Sequence, residues 1–208
     1  PGDKKRTVRQ YTSEYIENFL DQLTSKYKFE SIYCDDDTYN IGNKHTENIS
    51  KVLGKYNIPW FAMCRADTSK KESWKTMKDN GCLGVKIGIE SGNQYVVDQI
   101  VNKHLDLNYT NKIVDYIRKL GMSVHGTFTY GLPGETKDQM IETKKFIDKT
   151  NFNTVQESGT AEIEGTPLHS LNKKKLENYP GASINLEYDR QKDGGKKWQT
   201  LVKDLQEN

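Results

Sequence analysis

Cysteine is scarce in this chain: 208 residues carry three, Cys34, Cys64 and Cys82. So few, so scattered, exclude a disulfide framework and point to a reducing, cytoplasmic setting. A charge of one sign is missing too. Thirty-one Lys and Arg stand against 29 Asp and Glu, a net charge of +2, and the basic residues are spread along the chain. That leaves no electrostatic footprint for nucleic acid or for an anionic membrane surface. No apolar run reaches the length of a membrane span, and no signal-like segment opens the sequence. With a mean hydropathy of -0.87, the expectation is a soluble chain, by default one domain, long enough to bury a sizeable core.

What is present is organised around Gly81 to Gly92, G-C-L-G-V-K-I-G-I-E-S-G. Leu83, Val85, Ile87 and Ile89 alternate with Gly84, Lys86, Gly88 and Glu90, and alternation with period two puts the two sets on opposite faces of a strand. The aliphatic face needs a hydrophobic cover. The other face has glycines that leave space, a lysine and a carboxylate, and suits a polar ligand better than a packed core.

Around this strand, helices and strands take turns. Ile16, Phe19, Leu20, Leu23 and Tyr27 form one helical stripe over Thr12 to Tyr27. A short strand from Phe29 to Cys34 runs into Asp35, Asp36 and Asp37. A helix from Lys44 to Lys55 leads to a second strand, Trp60 to Cys64. Ser69 with Glu72 reads as a capping box for a helix to Asn80. After the alternating strand come a short helix from Asn93 and a longer one from Tyr109 to Leu120, with Gly121 as a left-handed C-cap. The fourth strand is Met122 to Tyr130, followed by Gly131-Leu132-Pro133-Gly134-Glu135. Thr136 with Gln139 caps a helix to Lys149, and a fifth strand contains Val155 and ends near Thr160. From Leu171 the pattern changes to a turn-rich segment that ends in a stripe of Trp198, Leu201, Val202 and Leu205. Such alternation predicts an α/β fold with a parallel sheet and right-handed crossovers, residues 1–170, and a C-terminal extension, residues 171–208.

In a β/α barrel the functional groups come from the C-terminal strand ends. Polar clusters occupy that position on every strand: Asp35 to Asp37, Arg65 and Asp67, Glu90 and Ser91, Thr129 and Gly131, Ser158 and Thr160. His125, Thr127 and Thr129 share one strand face, and Gln156, Ser158 and Thr160 share another. Barrel interiors are ordinarily filled with branched aliphatics, so this lining predicts a wet, ligand-bearing hollow. Plainer readings stand beside this one. Three aspartates in a turn make a solvated loop, the Gly-Leu-Pro-Gly run makes a tight turn, and His125 makes a hydrogen-bonded core histidine. Glu90 on a buried strand needs a partner or a ligand, and Lys86 is the candidate partner. His45, His104 and His169 are assigned no role. The cysteines do not converge on a metal. Cys34 and Cys64 end strands while Cys82 begins one, and an eight-residue strand at about 3.3 Å per residue separates its ends by roughly 25 Å.

These stretches carry a resemblance. I-Y-C-D-D-D-T-Y (32–39), W-F-A-M-C-R-A-D (60–67), the alternating run (81–93), G-T-F-T-Y-G-L-P-G-E-T (126–136) and G-T-P-L-H (165–169) resemble, in order and spacing, the radical S-adenosylmethionine (SAM) enzymes. The match is most like the branch often preceded by a cobalamin-binding domain. The resemblance implies a partial (β/α)6, TIM-like barrel lacking its first strand, with SAM across the strand ends. By position, Asp36 and Asp37 would meet the methionine amino group and Arg65 its carboxylate. Glu90 and Ser91 would meet methionine or ribose groups. Thr129, Tyr130 and Gly131, with the backbone around Leu132, would pass the adenine. The cofactors implied are SAM, a 4Fe–4S cluster and, in the branch named, cobalamin. A small-molecule substrate completes the chemistry, in which electron transfer from the cluster cleaves SAM to a 5′-deoxyadenosyl radical that abstracts hydrogen.

The family's CxxxCxxC cluster loop is absent from these 208 residues, and nothing replaces its thiolates. The first account is that the chain is a fragment, inactive without a cluster loop from an upstream segment or domain of the same protein; the second is a degenerate, cluster-free relative. Two other functions compete: a metal-dependent barrel lyase or hydrolase binding a divalent ion through Asp36, Asp37, Glu90 and His125, and a non-catalytic SAM- or partner-binding module.

Overall fold

The two faces of the central strand impose the architecture. The structure, a computed structural model, describes residues 8–160. Its elements run α1 (Ser13–Thr24), β1 (Ile32–Cys34), α2 (Asn43–Gly54), β2 (Trp60–Cys64), α3 (Lys71–Asp79), β3 (Cys82–Glu90), a π-helical turn (Val96–Ile100), α4 (Leu107–Lys119), β4 (Ser123–Tyr130), α5 (Lys137–Lys149) and β5 (Thr154–Gly159). The strands are parallel and adjacent in chain order, β1-β2-β3-β4-β5. Sequential order is that of a barrel, since a doubly wound sheet reverses at a switch point. The fold is therefore the expected α/β arrangement, an arc of a (β/α) barrel. The G-T-P-L-H stretch, the C-terminal extension with its apolar stripe, and His169 lie outside the described residues.

Every second side chain of β2, β3 and β4 enters one core beneath the helices. Trp60, Ala62, Val85, Ile87, Ile89, Val124 and Phe128 are buried there against Trp74 and Met77 of α3, Ile113 and Ile117 of α4, and Met140 of α5. Each large side chain so buried contributes about 1.5–3 kcal/mol. The Trp60 indole donates to the Asn80 carbonyl at 2.7 Å, which satisfies the one polar atom it brings inside.

Helix starts follow local chemistry in three cases. Thr12 caps α1, Asp106 caps α4, and Thr136 with Gln139 forms the expected reciprocal box on α5. Gly121 ends α4 at φ +78°, and the N–H groups of Gly121 and Met122 close back on the Arg118 and Ile117 carbonyls.

Three expectations fail. The Ser69–Glu72 box does not form, because Ser69 is buried and donates to the Asn40 carbonyl at 2.9 Å. Asn43 of α2 accepts from the Lys70 N–H at 2.9 Å instead. β1 is shorter than Phe29–Cys34. Leu83 is 44% exposed rather than core. There Trp60 pairs with Cys82 and Phe61 with Gly84, so Leu83 is the extra residue of a β-bulge.

Candidate functional site

At the C-terminal ends of β1 to β4 a hollow of about 410 Å³ opens, lined among others by Asp35, Asp36, Asp37, Arg65, Glu90 and Lys103. The β1 loop is held over it by backbone-like pairing. Tyr39 N–H donates to the Met63 carbonyl at 2.8 Å. The buried Asn40 amide bonds both the Arg65 carbonyl (2.8 Å) and the Arg65 N–H (2.9 Å). One asparagine therefore fixes where the aspartates and the arginine meet.

Glu90 is placed by a second irregularity. Gly88 pairs with Thr127 and Glu90 with Phe128, leaving Ile89 as an extra residue, and Glu90 adopts φ +73°. A non-glycine residue in that region costs on the order of 1–2 kcal/mol, and bulges beside sites commonly re-aim a side chain. The carboxylate points into the hollow, where Oε1 accepts from Lys103 Nζ at 2.9 Å and Oε2 from the Thr129 hydroxyl at 3.3 Å. The expected partner, Lys86, is not used. Lys103 carries no sequence signal, because it sits in a loop and only the fold returns it to β3. Gly88 makes room for both groups: a Cβ there would lie 2.8 Å from Glu90 Oε1 and 3.0 Å from Lys103 Nζ. Arg65 forms a two-pronged pair with Asp67 at 2.9 and 2.7 Å and donates to the Lys103 carbonyl at 3.0 Å.

The structure thus brings Asp36, Asp37, Arg65 and Glu90 together, with Thr129 bonded to Glu90. Two other expected side chains turn away. Ser91 is fully buried and shares a hydrogen bond with Thr143 of α5 at 2.9 Å. Tyr130 alternates to the helix side, where its hydroxyl donates to Glu157 at 2.7 Å, and burial and that carboxylate raise its pKa. Gly131 lies at the turn with φ +73°. Its N–H and that of Leu132 point inward to Glu135 Oε2 at 2.8 and 3.1 Å, not outward to a ring.

Glu135 is the residue that sequence reading passed over, although its place after the Pro-Gly turn marked it. Burial pushes its carboxyl up to about 7, against the lowering effect of the two N–H groups. Among the described residues its buried Oε1 has no hydrogen bond of good geometry: the Ser91 hydroxyl is near enough to lower the pKa somewhat but is engaged with Thr143.

Two cofactor types can be tested against these residues. The oxygen-rich, mainly acidic mouth suits a ligand with cationic groups, and the arginine suits its carboxylate. The cysteines do not suit an iron–sulfur cluster. Cys64 and Cys82 are buried and Cys34 is partly so, and among the described residues no three such side chains are grouped to hold a metal, whereas a cluster needs several converging thiolates. The divalent-metal reading also fails on placement: among the described residues no three His, Cys, Asp or Glu side chains are grouped to hold an ion, and His125 lies below Glu90 on a neighbouring strand. Among the described residues no helix is long and apolar enough to cross a membrane.

Fold and hollow together define a barrel-type α/β protein with a polar ligand pocket at the C-terminal strand ends. A family model described as the radical SAM superfamily matches residues 2–147, and the chain belongs to that superfamily. It is 26% identical over 176 residues to a cytidylyl-2-hydroxyethylphosphonate methyltransferase of Streptomyces wedmorensis, covering 79% of this chain and 32% of that protein. It is 26% identical over 168 residues to the ribosomal protein uS12 methylthiotransferase RimO of Phocaeicola vulgatus, covering 76% and 37%. The chain thus spans about a third of the length of these relatives. In structure it resembles the radical SAM methyltransferase TsrM of Kitasatospora setae, solved with cobalamin and a [4Fe–4S] cluster, with a TM-score of 0.64 and 14% identity over 72% of this chain and 31% of that one.

Proposed function

We propose that this chain is the SAM-binding core of a radical SAM enzyme. The observation that carries the reading is the hollow in which Asp36, Asp37, Arg65 and Glu90 converge at the C-terminal strand ends. SAM brings a sulfonium, an ammonium and a carboxylate. Asp36 and Asp37 match the ammonium in charge, Glu90 matches a cationic or hydroxyl group, and Arg65 matches the carboxylate. Thr129 steadies Glu90 through its hydroxyl, and in this reading the adenine passes the outer side of the Gly131 turn, whose N–H groups are taken up by Glu135.

When SAM is bound at a reduced 4Fe–4S cluster, the chemistry it supplies in this family is homolytic cleavage to a hydrogen-abstracting radical. The described residues hold no thiolates for that cluster, so its ligands are assigned to a segment outside these 208 residues. Cobalamin stays in the proposal on the strength of the structural relative that holds it. The substrate is a small molecule, and the compartment is the cytoplasm, where three unpaired thiols persist.

Equilibrium binding tests the first step. Glu90→Gln keeps size and hydrogen bonding but removes the charge, and SAM affinity is expected to fall about tenfold to a hundredfold. Asp36→Asn is expected to weaken it in the same direction. Unchanged affinity in both, with folding intact, would remove SAM from this hollow.

A further inference from the structure

Below the mouth, the concave side of the sheet changes sign. One residue per strand lies at a common level: Met63 on β2, Lys86 on β3, His125 on β4 and Thr154 on β5 are mutual partners in register. Adjacent strands are about 4.8 Å apart, so Lys86 and His125 are cross-strand neighbours. Among the described residues, the charged side chains on the same face of the neighbouring strand are Lys86, opposite His125, and, nearer the mouth, Glu90 with its partner Lys103. Those last two are paired with each other at 2.9 Å. Glu157, on β5, is on the far face, bonded to Tyr130.

Lys86 is therefore in a different condition from the cations of the mouth. Arg65 has Asp67 and Lys103 has Glu90. Among the described residues Lys86 forms no ion pair, and its ammonium reaches only the Gln156 amide oxygen at 3.3 Å. His125 Nδ1 is engaged with the Thr154 hydroxyl at 2.8 Å, and no hydrogen bond from the described residues reaches the ring's other nitrogen. Burial first, and the Lys86 charge second, lower the His125 pKa. Like charges facing across a sheet are unfavourable, and an interior of this kind is ordinarily aliphatic. An ammonium with unused donors beside an imidazole that resists protonation is relieved by one class of ligand, an oxyanion accepting from both.

We propose that Lys86 and His125, one level below the residues that line the hollow and on the same face of the sheet, form an oxyanion subsite as its floor, and that the substrate carries an acidic group there. The assignment to substrate rests on the reading of the mouth as the SAM site; the anion site does not. An acidic mouth and a cationic level below it then sort two ligands of opposite charge along one face of the sheet.

The test follows the His125 ring carbon by NMR in the protein with labelled histidine, assigned with His125→Gln. Sodium sulfate is the probe because it stays a dianion while the imidazole titrates, and sodium chloride at equal ionic strength is the control. Sulfate is expected to raise the His125 pKa saturably, by about half a unit or more. Lys86→Met is expected to abolish the rise, Lys86→Arg to keep it, and Lys51→Met on α2 to leave it unchanged. A larger response to sulfate than to acetate assigns a phosphate-like group, and an equal one assigns a carboxylate; both support the subsite. No saturable shift with either salt up to about 50 mM overturns it, as does a Lys86→Met protein, folded by its melting curve, that responds like the parent. Should Lys86→Met not fold, loss of the response in folded Lys86→Arg overturns it equally. A sulfate response in a protein that does not bind SAM keeps the subsite and removes the SAM reading, and SAM binding without a response does the reverse.

Discussion

The two faces of β3 answer to different rules. On the helix side, Val85, Ile87 and Ile89 are almost wholly buried, and their neighbours are aromatic and aliphatic. On the hollow side, Gly84, Lys86, Gly88 and Glu90 meet polar or charged groups, through contacts that a ligand can exchange. The helix side sets stability, and the hollow side is the one to which binding is proposed to belong. Strain is concentrated on the latter: Glu90 holds a left-handed backbone angle that the surrounding sheet enforces.

Neighbouring residues allow this division to be broken at one point. Ile87→Ala is expected to cost about 2–5 kcal/mol, as other large-to-small core changes do. Lys86→Met, one residue away, is expected to cost less than about 0.5 kcal/mol. Chemical denaturation of both decides the matter, and equal costs would show that the floor is core after all.

Two glycines sharpen the same contrast. A Cβ at Gly92 would lie 2.4 Å from Phe146 Cβ and 2.7 Å from Thr143 Cα, a backbone atom of α5. Gly92→Ala is expected to destabilise by about 1–3 kcal/mol through overpacking. At Gly88 the clash is with the tips of Glu90 and Lys103, which can swing aside. Gly88→Ala is expected to keep the melting temperature within a few degrees of the parent while weakening SAM binding. A stable Gly92→Ala protein would contradict the described seating of α5.

The last effect is spread over a range of pH. The folded pKa of Glu135, about 7, is above its ordinary value of 4.5, so the folded state binds the extra proton between those values. Its contribution is fully present below about pH 4.5 and is lost as pH rises through about 7. At about 1.4 kcal/mol per unit, the rise from 4.5 to about 7 makes the loss roughly 3–4 kcal/mol at most. Glu135→Gln keeps an acceptor for Gly131 and Leu132 and removes the titration. The variant is expected to gain stability relative to the parent between pH 5 and pH 8, and parallel pH profiles would refute the assignment.

Much of the fold was legible because it rests on local rules. The alternation in β3, the boundaries of β2, the Thr136–Gln139 box and the Gly121 cap depend on residues close in sequence, and they appear as expected. That Asp36, Asp37, Arg65 and Glu90 would come to one hollow was legible because barrel geometry delivers strand ends to one place. Tyr130 and Ser91 were expected to face the hollow, since they adjoin its lining in sequence, but they alternate or turn into the core. The Ser69 box failed because burial redirected the hydroxyl to Asn40.

By itself, the sequence determined the order of elements, the sign of each face and the family. Periodicity, caps and turn residues act over a few positions and need no distant partner. Only the tertiary structure decided that Lys103 rather than Lys86 meets Glu90, that bulges at Leu83 and Ile89 set the register, and that Glu135 closes its turn from inside. Those outcomes depend on which groups exclude water together, and that is settled by packing across long stretches of chain.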